Sequence, residues 1–221
     1  MSRITAAGLR QLVLQQSRYV GLTDLLSISW ALGIPVVQLT VFPGPRKRMA
    51  AMSVRVGERY AILLAKEAVY PAPIAFYLAH ELGHVALGHF QDGAVVVDFE
   101  EARPTLASDD PEELAADRFA LELLTGQPDL KVVPAIAHST ASELARVVLV
   151  SAPDLQIEPG TLALCYGYST RKWATANAAM KLIYLAPRPV GQEVNRVARL
   201  QLHLAELPMD GADYVAAVMG A

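Results

Sequence analysis

Several features that define common classes of protein are missing from this sequence. Its 221 residues include a single cysteine, Cys165, which excludes an intrachain disulfide and favours a reducing, cytoplasmic environment. Lysine and arginine (19) do not exceed aspartate and glutamate (22), and the net charge of -3 argues against direct nucleic-acid binding. The sequence also lacks a glycine-rich phosphate loop, a Cys-x-x-Cys pair and a serine or cysteine nucleophile motif.

Long hydrophobic runs are also scarce. The N-terminus does not resemble a signal peptide, because Arg3 and Arg10 interrupt it. The stretch 25–45 is uncharged, but a membrane span needs about 20 apolar residues, and this stretch contains Gly33, Pro35 and several polar side chains. We interpret it as a buried helix followed by a strand and expect no membrane association. Association with a membrane through this stretch is the alternative that stays open.

Apolar periodicity and breaker residues predict an α+β fold, in which helices pack on a small antiparallel sheet. The predicted helices span 5–17, 22–32, 74–87 and about 110–124, and the predicted strands span 36–41, 53–56 and 60–65, the last two forming a hairpin. The rest is predicted to be helical, at roughly 134–149, 170–185 and 191–206. We therefore expect one domain over 1–130 and a helical region over 131–221 that packs on it.

The strongest chemical signal is the pentad His80-Glu81-Leu82-Gly83-His84, an HExxH motif on the predicted helix 74–87. Residues at positions i and i+4 share one face of a helix, so both imidazoles can reach one zinc ion. Glu81 is turned by about 100° from His80 and points past the metal, which suits a general base that takes a proton from water. The alternative is a chance match, but the flanking residues predict a buried helix, where histidine and glutamate without partners would be costly.

Two neighbours of this motif carry further information. Gly83 disfavours a helix interior by about 1 kcal/mol relative to alanine, which indicates that another segment approaches the backbone closely there. His89 does not have the spacing of the known pattern that extends HExxH with a third histidine, so we expect it at the helix end.

A catalytic zinc usually has three protein ligands, and the predicted helix 110–124 offers two glutamates for the third. We favour Glu113, because Asp117 lies at i+4 on the same face and could accept the second N–H of a ligating histidine. Glu112 remains the alternative ligand, although the residue below it is Ala116. Glu113 could also act only as the capping partner of Asp110.

The two helices together resemble the ImmA/IrrE metallopeptidase family. The resemblance rests on the HELGH helix and on the segment 113–124, Glu-Leu-Ala-Ala-Asp-Arg-Phe-Ala-Leu-Glu-Leu-Leu, and it extends over roughly 33–125. Asp117 stands where that family usually has asparagine, and the lead-in to the first helix also departs from the family pattern. The resemblance implies a zincin-like metallopeptidase domain over 1–130. It also implies zinc on His80, His84 and Glu113, with Glu81 as the catalytic base.

The resemblance also implies a cytoplasmic zinc endopeptidase whose protein substrate is a helix-turn-helix transcriptional repressor, cleaved to relieve repression. A regulatory binding module that retains the metal but turns over little substrate is the alternative from another class. The presence of Glu81 argues against that alternative, because a purely structural metal site needs no base. A membrane-associated HExxH peptidase that uses the stretch 25–45 is the third hypothesis.

Overall fold

The computed structural model describes residues 4–41, 49–90, 95–99, 110–129 and 140–220. The helices are α1 (Ala6–Leu14), α2 (Leu22–Ala31), α3 (Pro71–Leu87), α4 (Pro111–Thr125), α5 (Ala141–Leu155), α6 (Pro159–Thr170), α7 (Trp173–Ile183), α8 (Val190–Gln201) and α9 (Met209–Val218), with a short 3-10 helix at Leu204–Glu206. The strands are β1 (Val36–Gln38), β2 (Met49–Val56), β3 (Arg59–Leu64) and β4 (Val95–Phe99). The α+β class predicted from the sequence is confirmed.

The four strands form one sheet in the order β1-β3-β2-β4. β2 and β3 form the predicted hairpin around Gly57, whose φ of +60° favours glycine, and β4 pairs antiparallel with β2. β1 runs parallel to β3, with Val36 opposite Ile62, so the sheet is mixed and the predicted wholly antiparallel sheet is corrected. β2 does not pair with β1, which precedes it in the chain. Instead, β3 lies between β1 and β2, antiparallel to β2 and parallel to β1.

Helix α3 is the central element of the fold and carries the HExxH motif. It begins at Pro71, three residues before the predicted start, because a proline at the first helical position loses no hydrogen bond there. It ends at Gly88, which adopts the left-handed conformation at φ +77°. α3 packs against α2, α4, α6 and the strands β2 and β3, so most of its length is buried.

Helix α4 runs beside α3 and supplies the predicted third ligand. Asp110 caps it by accepting a hydrogen bond from the backbone N–H of Glu112, and Gly126 ends it at φ +83°. The guanidinium of Arg10, on α1, donates to the carbonyls of Leu123 and Leu124 at the end of α4. A cation at this position also interacts favourably with the helix dipole, so α1 stabilises the C-terminal end of α4.

The C-terminal part is helical, as predicted, but it is divided differently. The predicted helix 170–185 corresponds to α7, whereas α6 and α9 were not predicted, and the first part of the predicted helix 134–149 lies outside the described residues. α5, α6 and α7 share a core of their own that includes Tyr166 and also contacts Ala72 of α3. The predicted domain boundary at 130/131 also lies outside the described residues, so it stays a prediction.

The uncharged stretch 25–45 does not form one continuous helix. Its described part divides into the end of α2, a turn at Gly33 and the strand β1, as the sequence predicted. Within the ranges described above, no helix combines the length and the apolar character that a membrane crossing requires.

Candidate metal centre

Helices α3 and α4 bring three predicted metal ligands together. His80 and His84 lie one turn apart on α3, and their Nε2 atoms are 3.0 Å from each other. Glu113, in the first turn of α4, places its two carboxylate oxygens 3.2 Å from Nε2 of His80 and 3.4 Å from Nε2 of His84. Both histidines are buried and Glu113 is partly exposed, so the cluster opens to solvent on the side of the carboxylate.

These distances fit a metal ion with tetrahedral coordination. Zinc binds histidine nitrogen and carboxylate oxygen at about 2.0–2.2 Å, and a tetrahedron of that size separates its ligand atoms by about 3.3–3.6 Å. The three measured separations of 3.0, 3.2 and 3.4 Å are close to these values. Two imidazoles and one carboxylate are also a common ligand set of catalytic zinc sites, which keep the fourth position for water or substrate. The residues present therefore fit such a metal.

The second ring nitrogen of His80 contacts Asp117, the residue predicted to accept its N–H. Nδ1 of His80 lies 2.9 Å from Oδ1 of Asp117, which is buried one turn after Glu113 on α4. Burial opposes the charged form of His80, but hydrogen bonds to Asp117 and Glu113 outweigh it and raise the pKa of His80 to about 10. Hydrogen bonds from His80 and His84 hold the pKa of Glu113 well below its usual range. Asp117 thus fixes the ring so that Nε2 faces the metal position.

His84 has a partner of a different kind. Its Nδ1 lies 2.9 Å from Nδ1 of His89, which follows the left-handed turn at Gly88. Burial, followed by the proximity of His84, lowers the pKa of His89, so its ring is neutral at neutral pH and can accept the N–H of His84. His89 therefore sits at the helix end, as predicted, and contacts the ring nitrogen of His84 that does not face Glu113. Sequence reasoning did not find this bracing contact.

Glu81 lies on the side of α3 that faces the sheet. It is fully buried, and the hydroxyl of Ser53, on β2, donates a short hydrogen bond to its Oε2. Ser53 was not singled out from the sequence, although β2 carries a signal that could have found it. Ala51 and Ser53 are both buried and point to the same face of the strand, so a hydroxyl occupies a position that otherwise requires an apolar side chain.

The two candidate glutamates, Glu112 and Glu113, differ in their position relative to the two histidines. Glu112 is exposed, whereas the carboxylate of Glu113 faces His80 and His84 and does not act as the capping partner of Asp110. Gly83 explains how α4 comes close enough to supply it. A Cβ atom at Gly83 would lie 3.1 Å from both Cα and the carbonyl oxygen of Ala116, so only glycine permits this approach without displacement. The close backbone approach predicted at Gly83 is confirmed.

An α+β fold with an HExxH helix, and with a glutamate from the following helix beside its two histidines, defines a zincin-like metallopeptidase. The family model described as the IrrE N-terminal-like domain, Peptidase M78, matches residues 31–152, which is just over half of the chain. The chain therefore belongs to this family of metallopeptidases, and the resemblance stated from the sequence is confirmed. The chain has no significant match among curated proteins.

Proposed function

We propose that the protein is a zinc-dependent endopeptidase with His80, His84 and Glu113 as metal ligands. The observation that carries the proposal is the convergence of two imidazole nitrogens and one carboxylate, at separations of 3.0, 3.2 and 3.4 Å, in a family of metallopeptidases. Zinc is the metal that this ligand set and the tetrahedral separations favour. A zinc ion held there supplies Lewis acidity, which polarises a peptide carbonyl and eases the loss of a proton from water.

Glu81 is the general base of the proposed reaction. Its carboxylate takes a proton from the attacking water and then delivers it to the leaving amine, because the pentad places it next to a ligand without making it one. Ser53 holds one carboxylate oxygen by donating to it, which restricts the rotamers of Glu81 within the buried space between α3 and β2. Asp117 and His89 keep the two histidines oriented from behind.

The substrate that we propose is a helix-turn-helix transcriptional repressor in the cytoplasm. The support for this step is the resemblance of the two-helix segment to the ImmA/IrrE family, together with the family match over 31–152. The competing hypothesis is a regulatory module that binds metal and partner with little turnover. The two differ in one measurable property, which is whether a candidate repressor is cut or only bound.

The metal assignment is tested by elemental analysis of the purified chain. We expect about one zinc per chain, because the three ligands define one site. His80→Ala and His84→Ala should abolish retention, since each removes one of three ligands, and Arg146→Gln on the exposed side of α5 is the matched control. Full zinc retention in either histidine variant would contradict the assignment.

The role of Glu81 is tested by separating metal binding from turnover. Glu81→Gln keeps the size of the side chain and its contact with Ser53 but cannot accept a proton, so zinc content should stay while cleavage of the repressor is lost. Cleavage is followed by gel electrophoresis and mass spectrometry of the repressor encoded nearest to this protein's gene. Loss of zinc from Glu81→Gln would show that Glu81 is a ligand, and unchanged cleavage would show that it is not the base.

A further inference from the structure

A second concave surface lies apart from the metal centre, where the end of β1, the connection from β3 to α3 and the start of α8 meet. Its cavity has a volume of about 1550 Å³, and none of the residues of the metal centre lines it. Small-molecule sites usually enclose about 300–1,000 Å³, so this cavity has room for a metabolite and part of its hydration shell.

The walls of this cavity are basic, although the chain as a whole has a net charge of -3. The charged side chains that line it are Lys66, Lys181, Arg188, Arg196 and Arg199, against Glu67 and Glu193. Arg188 and Glu193 neutralise each other through two hydrogen bonds of 2.9 and 2.7 Å. Lys181 and Arg196 make no ion pair with any residue of the described ranges, and both are exposed. Arg199 donates to the carbonyl oxygen of Met219 at 3.3 Å. Lys181 and Arg196 are therefore the two cations that we take to be available to an anion.

A buried polar atom in the same wall lacks a partner. Gln38 is 3% exposed, and its Oε1 accepts no hydrogen bond within the described part of the chain. Its Nε2 faces the carbonyl oxygens of Leu39 and Lys66, each at 3.4 Å, which fixes the orientation of the amide because a carbonyl can only accept. A buried acceptor without a donor is unfavourable, so a ligand with an N–H or O–H group would satisfy it.

The first turn of α8 completes the wall. Pro189, Val190 and Gly191 line the cavity, and no side chain from the described part of the chain caps this end of the helix. The N-terminus of a helix carries a partial positive charge and favours anions. Gly191 also lets α8 begin directly against Gln38, because a Cβ atom at this position would lie 2.9 Å from Cγ of Gln38. The positive helix end and the unpaired acceptor are thus neighbours.

We propose that this cavity binds a small phosphorylated metabolite that also carries a hydrogen-bond donor, as a nucleoside monophosphate does. The phosphate interacts with Lys181, Arg196 and the start of α8, and an amino or hydroxyl group donates to Oε1 of Gln38. The proposal is independent of the metal centre. Tyr70 and Pro73, at the start of α3, also line the cavity, so a ligand there contacts the helix that carries His80 near its middle.

The test is calorimetric titration of the full chain with AMP, GMP, adenosine and inorganic phosphate. We expect AMP or GMP to bind with a Kd below about 1 mM, and adenosine and phosphate to bind more weakly, because each offers only one of the two recognised groups. The double variant Lys181→Gln/Arg196→Gln should weaken nucleotide binding by about tenfold or more, since it removes both available cations. Arg146→Gln, which removes an exposed cation elsewhere, is the matched control.

Two further variants separate this site from the rest of the protein. Gln38→Met keeps the volume of the side chain but removes the acceptor, so it should weaken nucleotide binding while leaving phosphate binding unchanged. His80→Ala should leave nucleotide binding unchanged, because the cavity does not include the metal centre. The proposal is overturned if neither nucleotide nor phosphate binds at about 5 mM, a level that detects even weak sites. It is also overturned if the double variant binds as tightly as the wild type.

Discussion

Replacement of Gly83 by alanine probes how the two metal-binding helices are held together. The added Cβ would lie 3.1 Å from Cα and from the carbonyl oxygen of Ala116, and 3.2 Å from Cβ of Phe119. These atoms belong to the backbone of α4 or are fixed to it, so no flexible side chain can turn away. The helices must therefore separate by a few tenths of an ångström. Glu113 stands at the start of the helix that would move.

Two opposing effects set the size of the change in stability. Alanine is favoured over glycine in a helix interior by about 1 kcal/mol. Overpacking of a close contact costs about 1–3 kcal/mol. We therefore expect Gly83→Ala to lower the free energy of unfolding by about 0–2 kcal/mol. The same substitution in a helix without a close neighbour would raise the free energy of unfolding. Because Glu113 shifts away from His80 and His84, zinc affinity should also fall, by about tenfold.

The assay is urea unfolding of the metal-free protein, combined with zinc titration against a competing chelator. Gly211→Ala, in the first turn of α9, is the control, because a Cβ there meets no atom of the described residues within 4 Å. This control should gain up to about 1 kcal/mol and keep its zinc affinity. If Gly83→Ala gained as much stability as Gly211→Ala and bound zinc unchanged, the close contact with Ala116 would not constrain the helices, and the reasoning would be refuted.

Two further predictions concern the metal ligands and the cysteine. Zinc titrations should rank Glu113→Gln as the most damaging variant, followed by Asp117→Ala with a loss of about 10–100-fold, while Glu112→Gln stays close to the wild type. The loss of zinc affinity in His89→Ala should lie between those of Asp117→Ala and Glu112→Gln, because a neutral imidazole is a weaker acceptor than a carboxylate. A greater loss in Glu112→Gln than in Glu113→Gln would contradict the geometry. Burial raises the pKa of Cys165 to about 12, so at pH 8 only about one thiol in ten thousand is ionised. A colorimetric thiol reagent should therefore label the unfolded chain but not the native one, and rapid native labelling would show that Cys165 is accessible.

The elements that the sequence predicted best are those with local start and stop signals. α3 and α4 each begin with proline at the first helical position and end with glycine in the left-handed conformation. Their registers then place the HExxH pair and the pair Glu113 and Asp117 on defined faces, because four residues separate the members of each pair. Only one long-range inference was needed, namely that the two faces meet.

The elements that the sequence did not predict depend on signals of another kind. α6 was not predicted, and it ends at Arg171, which has φ +61°, so no glycine or proline separates it from α7. β4 is a five-residue strand that is fixed by its pairing with the distant β2. The parallel pairing of β1 with β3 likewise depends on how the chain crosses the sheet. No local periodicity reports such tertiary choices.

The same distinction between local and long-range signals applies within the site. Ser53 reaches Glu81 from a different layer of the fold, and His89 reaches His84 only because the turn at Gly88 folds the chain back. Asp117, in contrast, was found because it shares a helix face with Glu113. The structure now gives a reason for its departure from the asparagine usual in the family. Its carboxylate contacts Nδ1 of His80 at 2.9 Å, and a charged acceptor makes that imidazole more basic than a neutral amide would. The two histidines are thus braced unequally, by a carboxylate on one side and by an imidazole on the other, so we expect His80 to be the stronger donor to the proposed metal.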